Sequence, residues 1–171
     1  MIRGDTLNFE HIDEPALAAL AGRLAPMLAA GGVVFLIGDL GAGKTTFARA
    51  LLGALGVDAR IKSPTYSLIE SYTVGGLAIH HLDLYRIADA GELEWLGLAD
   101  LTAEPYLLLV EWPEHARDGL PPPDLILRLA HAPASRDVVL EASTPRAAHW
   151  LHGLRALGRP AAAASQLSDD S

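Results

Sequence analysis

Eight residues in the first third of the chain have the types and spacing to hold a polyphosphate. They are Gly38-Asp39-Leu40-Gly41-Ala42-Gly43-Lys44-Thr45, which fit G-x-x-x-x-G-K-[ST]. A loop of this composition turns main-chain N–H groups inward around a β-phosphate, and glycines allow the close approach. A helix beginning near Lys44 adds unpaired N–H donors and the positive end of its dipole. The Lys44 ammonium is a mobile charge for the β- and γ-phosphates, and the Thr45 hydroxyl can ligate Mg2+. Thr46 follows as a further hydroxyl. A glycine-rich turn without a ligand would explain neither the lysine nor the hydroxyl beside it.

Three further stretches carry side chains suited to the same chemistry. In Ile61-Lys62-Ser63-Pro64-Thr65-Tyr66, Pro64 biases Ser63 towards extended backbone. This polar loop follows the phosphate-loop helix, where nucleotide-sensing switches lie in P-loop enzymes, and Thr65 is the residue to face Mg2+ or a γ-phosphate. His80-His81-Leu82-Asp83-Leu84-Tyr85-Arg86 reads as a strand end. Alternation places His81, Asp83 and Tyr85 on one face and Leu82 and Leu84 on the other. Adjacent histidines on opposite faces with no cysteine nearby are a poor zinc site. Tyr106-Leu107-Leu108-Leu109-Val110-Glu111-Trp112 is an aliphatic run ending in a carboxylate. That is the form of a central strand with its acid at the ligand-binding tip, with Trp112-Pro113 as a stiff aromatic edge.

The elements that would position these groups follow from hydrophobic period and breakers. Asp5 to Phe9 is a first strand with Leu7 and Phe9 inward. Asp13 caps a helix bearing Pro15 in its first turn and Leu17, Leu20, Ala21, Leu24, Met27 and Leu28 at helical spacing. Pro26 kinks or shortens it, and Gly31-Gly32 ends it. Val33 to Ile37 is a strand buried on both faces, and a second helix runs from about Lys44 to Leu55, closed by Gly56. Ser67 to Thr73 and Leu77 to Asp83 form a hairpin. Ala88 to Leu96 has helical character, with Trp95 as packing or lid. Leu125 to Ala130 and Asp137 to Ala142 form a late antiparallel pair at the sheet edge, with Leu125, Leu127, Leu129 and Val139 inward. Thr144-Pro145 opens a last helix with Ala148, Leu151, Leu154 and Leu157 on one side. The fold class is α/β: a single P-loop NTPase domain, residues 1–157, with a mixed parallel and antiparallel sheet flanked by helices. Residues 158–171 read as a flexible, Ala-rich acidic tail.

The bulk properties narrow the function classes. A chain of 171 residues fits one domain, and 50% hydrophobic content excludes a disordered one. The absence of cysteine excludes disulfides and thiol chemistry. The N-terminus lacks a secretory apolar core and Ala16 to Ala30 is too short to span a bilayer, so the expected location is the cytoplasm. The net charge of −8, with only Lys44 and Lys62 as lysines, argues against a large nucleic-acid-binding surface. A role in an RNA pathway would be served without gripping the RNA.

Four blocks, taken in order, resemble a known family. They are Gly38-Asp39-Leu40-Gly41-Ala42-Gly43-Lys44-Thr45-Thr46, Ser63-Pro64-Thr65-Tyr66, His81-Leu82-Asp83-Leu84-Tyr85-Arg86 and Glu111-Trp112-Pro113-Glu114. The chain is similar over roughly residues 5–157 to the bacterial P-loop ATPases of tRNA threonylcarbamoyladenosine biosynthesis. Phe47 stands where leucine is common. The resemblance implies a slow, Mg2+-dependent ATPase that binds where a threonylcarbamoyl-transferase subunit meets its inactive, structurally related companion. ATP turnover would reset that complex between rounds of modification of tRNAs decoding ANN codons. It further implies that the loop Gly38 to Thr46, together with Trp112, binds ATP. Lys44, Thr65, Asp83 and Glu111 would be catalytic, and Thr45, Asp83 and Glu111 would attend Mg2+. Glu111 would either orient the attacking water or serve the metal. A small-molecule kinase would need an arginine-rich lid, and the span from Arg86 to Glu104 is poor in basic residues. A GTP switch would need an Asn-Lys-x-Asp motif, which the chain lacks.

Overall fold

The computed structural model describes residues 5–58, 60–65, 67–103 and 105–160. Tyr66 and residues 161–171 of the expected tail lie outside the described residues. Among the described residues seven strands form one sheet in the order β1-β7-β6-β2-β5-β4-β3. They are β1 (Thr6–Ile12), β2 (Gly32–Ile37), β3 (Ile69–Val74), β4 (Leu77–Asp83), β5 (Tyr106–Glu111), β6 (Leu125–Ala132) and β7 (Ser135–Ala142). The helices are α1 (Glu14–Leu28), α2 (Lys44–Leu55), α3 (Leu98–Leu101) and α4 (Pro145–Leu157), with a 3₁₀ helix over Ala90–Leu96. No described helix is long and apolar enough to cross a membrane.

β2 lies between β5 and β6 and runs parallel to both. Both of its faces are covered, which is why the sequence Gly-Val-Val-Phe-Leu-Ile is apolar without alternation. Val34 and Leu36 pack with Leu17, Leu20 and Leu24 of α1, Phe47, Leu51 and Leu52 of α2, and Trp150, Leu151 and Leu154 of α4. Val33 and Phe35 face the other way, onto Leu84, Ile87, Leu93 and Leu98. Three long helices therefore cover one face, and short turns cover the other. Asp13 caps α1 through the Ala16 N–H, and Thr144 caps α4 through the Ala147 N–H. Pro26 sits inside the last turn of α1, which runs on to Leu28.

Several expectations are corrected. The β6–β7 pair is internal, since β6 pairs with β2 and β1 pairs outside β7, leaving β1 and β3 as the edges. Period and turn signals give the hairpin but not its outer neighbour. In β7 the buried residues are Val138, Leu140 and Ala142, and Val139 is only half-buried. The register sets this phase: Leu127 opposes Leu140 and Leu129 opposes Val138. Leu157 is exposed at the end of α4, and Trp150 is the buried residue instead. Trp95 is 91% exposed on the 3₁₀ helix and packs into neither core cluster. Beyond α4, Arg159 donates to the carbonyls of Glu10 and His11, and Arg23 donates to the Gly158 carbonyl.

One buried carboxylate ties α4 to the central strand. Asp124 accepts from the Val33 N–H at 2.9 Å, Thr144 Oγ1 at 2.8 Å and Arg146 Nη2 at 2.9 Å. Burial pushes its pKa up, but the bonds from Arg146, Val33 and Thr144 outweigh this and hold it below the usual aspartate value. Asp124→Ala is expected to destabilise the fold by about 2–3 kcal/mol, as it leaves a buried N–H unpaired. An acid with a depressed native pKa contributes stability above its unfolded pKa. That contribution is lost as pH falls below about 4. Denaturant melts at pH 7 and pH 3 check both points: the gap between wild type and Asp124→Ala should narrow at the lower pH.

Candidate functional site

The C-terminal edge of the parallel strands gathers the four sequence blocks around one cavity. The loop between β2 and α2 occupies that edge, and the β4–β5 register sets Asp83 beside Glu111. The β2–β5 register sets Leu36, just before the loop, beside Glu111. The cavity has a volume of about 490 Å³, and its lining includes Leu40, Gly41, Gly43, Lys44, Thr45 and Thr46. Thr65, Asp83, Arg86, Glu111 and Trp112 also line it. A larger hollow of about 760 Å³ beneath the 3₁₀ helix carries Glu94, Asp100 and Asp118 and no basic residue. Its charge disfavours phosphate, whereas the smaller cavity is lined by Lys44, Arg86 and Arg136 as well as carboxylates.

The helix behind the loop is built differently from the other long helices. α1 and α4 have side-chain caps, whereas α2 begins after Gly43 with none. Its N-terminal turn faces the cavity with its dipole, the arrangement that receives an anion. Gly43 has φ of 109°, and a Cβ there would run into the Arg136 guanidinium. A Cβ on Gly38 would meet the Leu129 carbonyl. Ala42 donates to the Asp39 carbonyl at 3.1 Å, closing the turn.

Lys44 is almost fully buried. Its Nζ donates to the carbonyls of Gly38 and Asp39, the latter at 2.9 Å, and lies 4.3 Å from the centroid of the Trp112 ring. Burial lowers its pKa, and the carboxylates of Glu111, Glu114, Asp83 and Asp39 partly offset that. Trp112 holds its place through a left-handed backbone, φ 58°, and through ring contacts with Tyr85 at 5.0 Å and His115 at 5.4 Å. A positive φ on a bulky residue is strained backbone beside the site.

Thr45 Oγ1 donates to Glu111 Oε1 at 2.8 Å, and His81 Nε2 lies 2.7 Å from Glu111 Oε2. Asp83 accepts from the Tyr85 N–H at 3.1 Å. Burial raises the Asp83 pKa, the Glu111 charge adds to this, and the Tyr85 N–H opposes it. Thr65 is exposed at the cavity mouth, with Oγ1 2.7 Å from Ser63 Oγ. His80 points to the opposite face, bonded to Ser71 Oγ and the Leu101 carbonyl. Among the described residues no group of three or more histidines and carboxylates could hold a metal unaided. Mg2+ carried by a nucleotide needs only one or two protein groups, and the adjoining Thr45, Glu111 and Asp83 fit that requirement.

Sequence reasoning missed Arg136 and Glu14, which also line the cavity. Arg136 reaches Gly43 from β7, and its Nε is buried without a hydrogen-bond partner. Nothing local to Arg136 signals this, because only the β6–β7–β1 pairing brings it there.

Residues 12–138 match the family model for the threonylcarbamoyl adenosine biosynthesis protein TsaE. The chain belongs to this family. It is 42% identical over 112 residues to the tRNA threonylcarbamoyladenosine biosynthesis protein TsaE of Haemophilus influenzae, covering 66% of this chain and 71% of that protein. The Bacillus subtilis protein of the same name is 36% identical over 115 residues, covering 67% and 72% of the two chains. The crystal structure of Bacillus subtilis YdiB superposes with a TM-score of 0.70 at 26% identity, over 92% of this chain and 99% of that one. Family and fold agree with the expectation from the four blocks. The family's role is in threonylcarbamoyladenosine formation, and the α/β sheet with its loop at the C-terminal edge is of P-loop type.

A polyphosphate entering the cavity would compete with the Trp112 ring for the Lys44 ammonium. Titration with Mg2+ and ATP is therefore expected to change tryptophan emission. Trp112→Phe should abolish the change and Trp95→Phe should leave it intact. An unaltered response in Trp112→Phe would rule out this coupling.

Proposed function

We propose that the protein is a Mg2+-dependent ATPase serving threonylcarbamoyladenosine formation in tRNA, and that it resets a transferase complex between rounds. The observation that carries the reading is the convergence of an uncapped helix N-terminus, Lys44 and the Thr45–Glu111 pair on one cavity. The main-chain amides of Gly41 to Thr46 would bind the β-phosphate, and Lys44 would leave its carbonyl partners for the phosphate oxygens. Catalysis of phosphoryl transfer to water is chiefly positioning and charge stabilisation, so these groups act by placing and neutralising the γ-phosphate. Mg2+ bound with the nucleotide would supply further charge stabilisation. Thr45 and Asp83 would hold it, directly or through water, and Thr65 would close over the γ-phosphate. Glu111 already accepts bonds on both oxygens, which suits a carboxylate that serves the metal's shell.

The transition-state charge needs completion. Arg86 and Arg136 line the cavity, but turnover by the chain alone is expected to be slow. The threonylcarbamoyl-transferase subunit and its inactive, structurally related companion are the proposed partners, docking where that pair meets. The acidic net charge leaves contact with tRNA to them.

Lys44→Ala should reduce turnover by about a hundredfold or more and weaken ATP binding sharply. Near-normal hydrolysis by that variant would end the proposal. Glu111→Ala should lose Mg2+-dependent affinity by about tenfold or more. Retained affinity with lost hydrolysis would instead assign Glu111 to the water. Turnover with both partners should exceed turnover alone, and tRNA modification should stall after one round when hydrolysis is blocked. ATP and GTP titrated side by side should show preference for ATP.

A further inference from the structure

His80 and His81 are neighbours on β4 with different attachments. His80 is bonded at both ring nitrogens, to Ser71 Oγ at 2.8 Å and to the Leu101 carbonyl at 3.1 Å. His81 has a relative exposure of 0%, is bonded through Nε2 to Glu111, and its Nδ1 is buried with no partner. It does not line the cavity, so it does not touch a ligand there. A phenyl ring would fill the same space without burying a bare nitrogen, so what the imidazole adds is its bond to Glu111.

We propose that His81 is a positioning residue that clamps Glu111, and through it turns the Thr45 hydroxyl towards the cation accompanying the nucleotide. The inference rests on the nucleotide-binding reading above. An ionised carboxylate only accepts hydrogen bonds, so the proton between the two groups sits on His81 Nε2. Thr45 Oγ1 donates to the other oxygen of Glu111. Each carboxylate oxygen thus has one donor, and the carboxylate plane is held against rotation. With its proton committed to Glu111, Thr45 keeps its lone pairs for the cavity side. The β4–β5 register makes the reach possible. Asp83 opposes Glu111 and His81 opposes Leu109, so His81 stands one step behind the carboxylate tip on the same face. Partners that orient a metal-binding group from behind commonly alter metal affinity by about 10–100-fold when removed.

Calorimetry with a non-hydrolysable ATP analogue, with and without Mg2+, tests this on the full chain. His81→Phe is expected to lower the Mg2+-dependent gain in affinity about tenfold and to leave metal-free affinity unchanged. His81→Gln, which keeps an N–H donor, should restore most of that gain. An equal loss with and without Mg2+, or an unchanged Mg2+ gain in His81→Phe, would overturn the proposal. Should His81→Phe not fold, nitrogen-15 NMR of the wild-type imidazoles decides. A protected Nε2–H that shifts when Mg2+ and nucleotide are added supports the clamp, and an Nδ1–H tautomer refutes it. Failure of the wild-type chain to bind the analogue at all would strike at the nucleotide reading instead, so the two failures are separable.

Discussion

Parallel pairing of β4, β5 and β2 is the constraint on which the site depends. Parallel strands end at the same edge, and register then decides which side chains meet there. Asp83 meets Glu111 across one ladder, and Leu36, leading into the phosphate loop, meets Glu111 across the other. A one-residue slip would send one carboxylate to the opposite face. The register is held by apolar packing on both faces of the sheet. Val34 and Leu109 pack towards the long helices, and Val33, Phe35 and Leu108 pack towards the short turns. Polar chemistry at the edge thus rests on hydrophobic burial in the middle.

The phosphate loop shows how an unmet bonding requirement becomes a site. Two of the long helices satisfy their first N–H groups with Asp13 and Thr144. The third begins after a left-handed glycine with no side chain in that role. Lys44 lies folded back on the loop carbonyls and over Trp112. Its charge is held beside the place where phosphate oxygens would sit. The carboxylates around it offset part of the cost of burying it. The donors and the cation share one cavity, and that combination distinguishes it from the acidic hollow on the other face.

The long elements were legible because each announces itself locally. α2 has the bounds read from its pattern, Lys44–Leu55 with Gly56 after it, and β4 likewise ends at Asp83. Features that depend on a neighbour in space are not legible in this way. The phase of β7 depends on which residues oppose Leu127 and Leu129, and the adjacent Val138 and Val139 fit either phase. The internal place of the β6–β7 pair depends on β1, whose sequence does not name its partner. Of the two roles open to Trp95, packing or lid, the structure excludes packing, since its short 3₁₀ helix leaves the ring exposed.

By itself the sequence determined the α/β class, the phosphate loop and the acidic residues at strand ends, and its four motif blocks carried the resemblance to the family. The first three follow from glycine spacing, hydrophobic period and breakers, which are properties of short windows. The tertiary structure alone decided that His81 bonds Glu111, that Thr45 shares the same carboxylate, and that Arg136 reaches Gly43. Each joins residues on different elements, and strand order and register, which no single window contains, determine whether they meet.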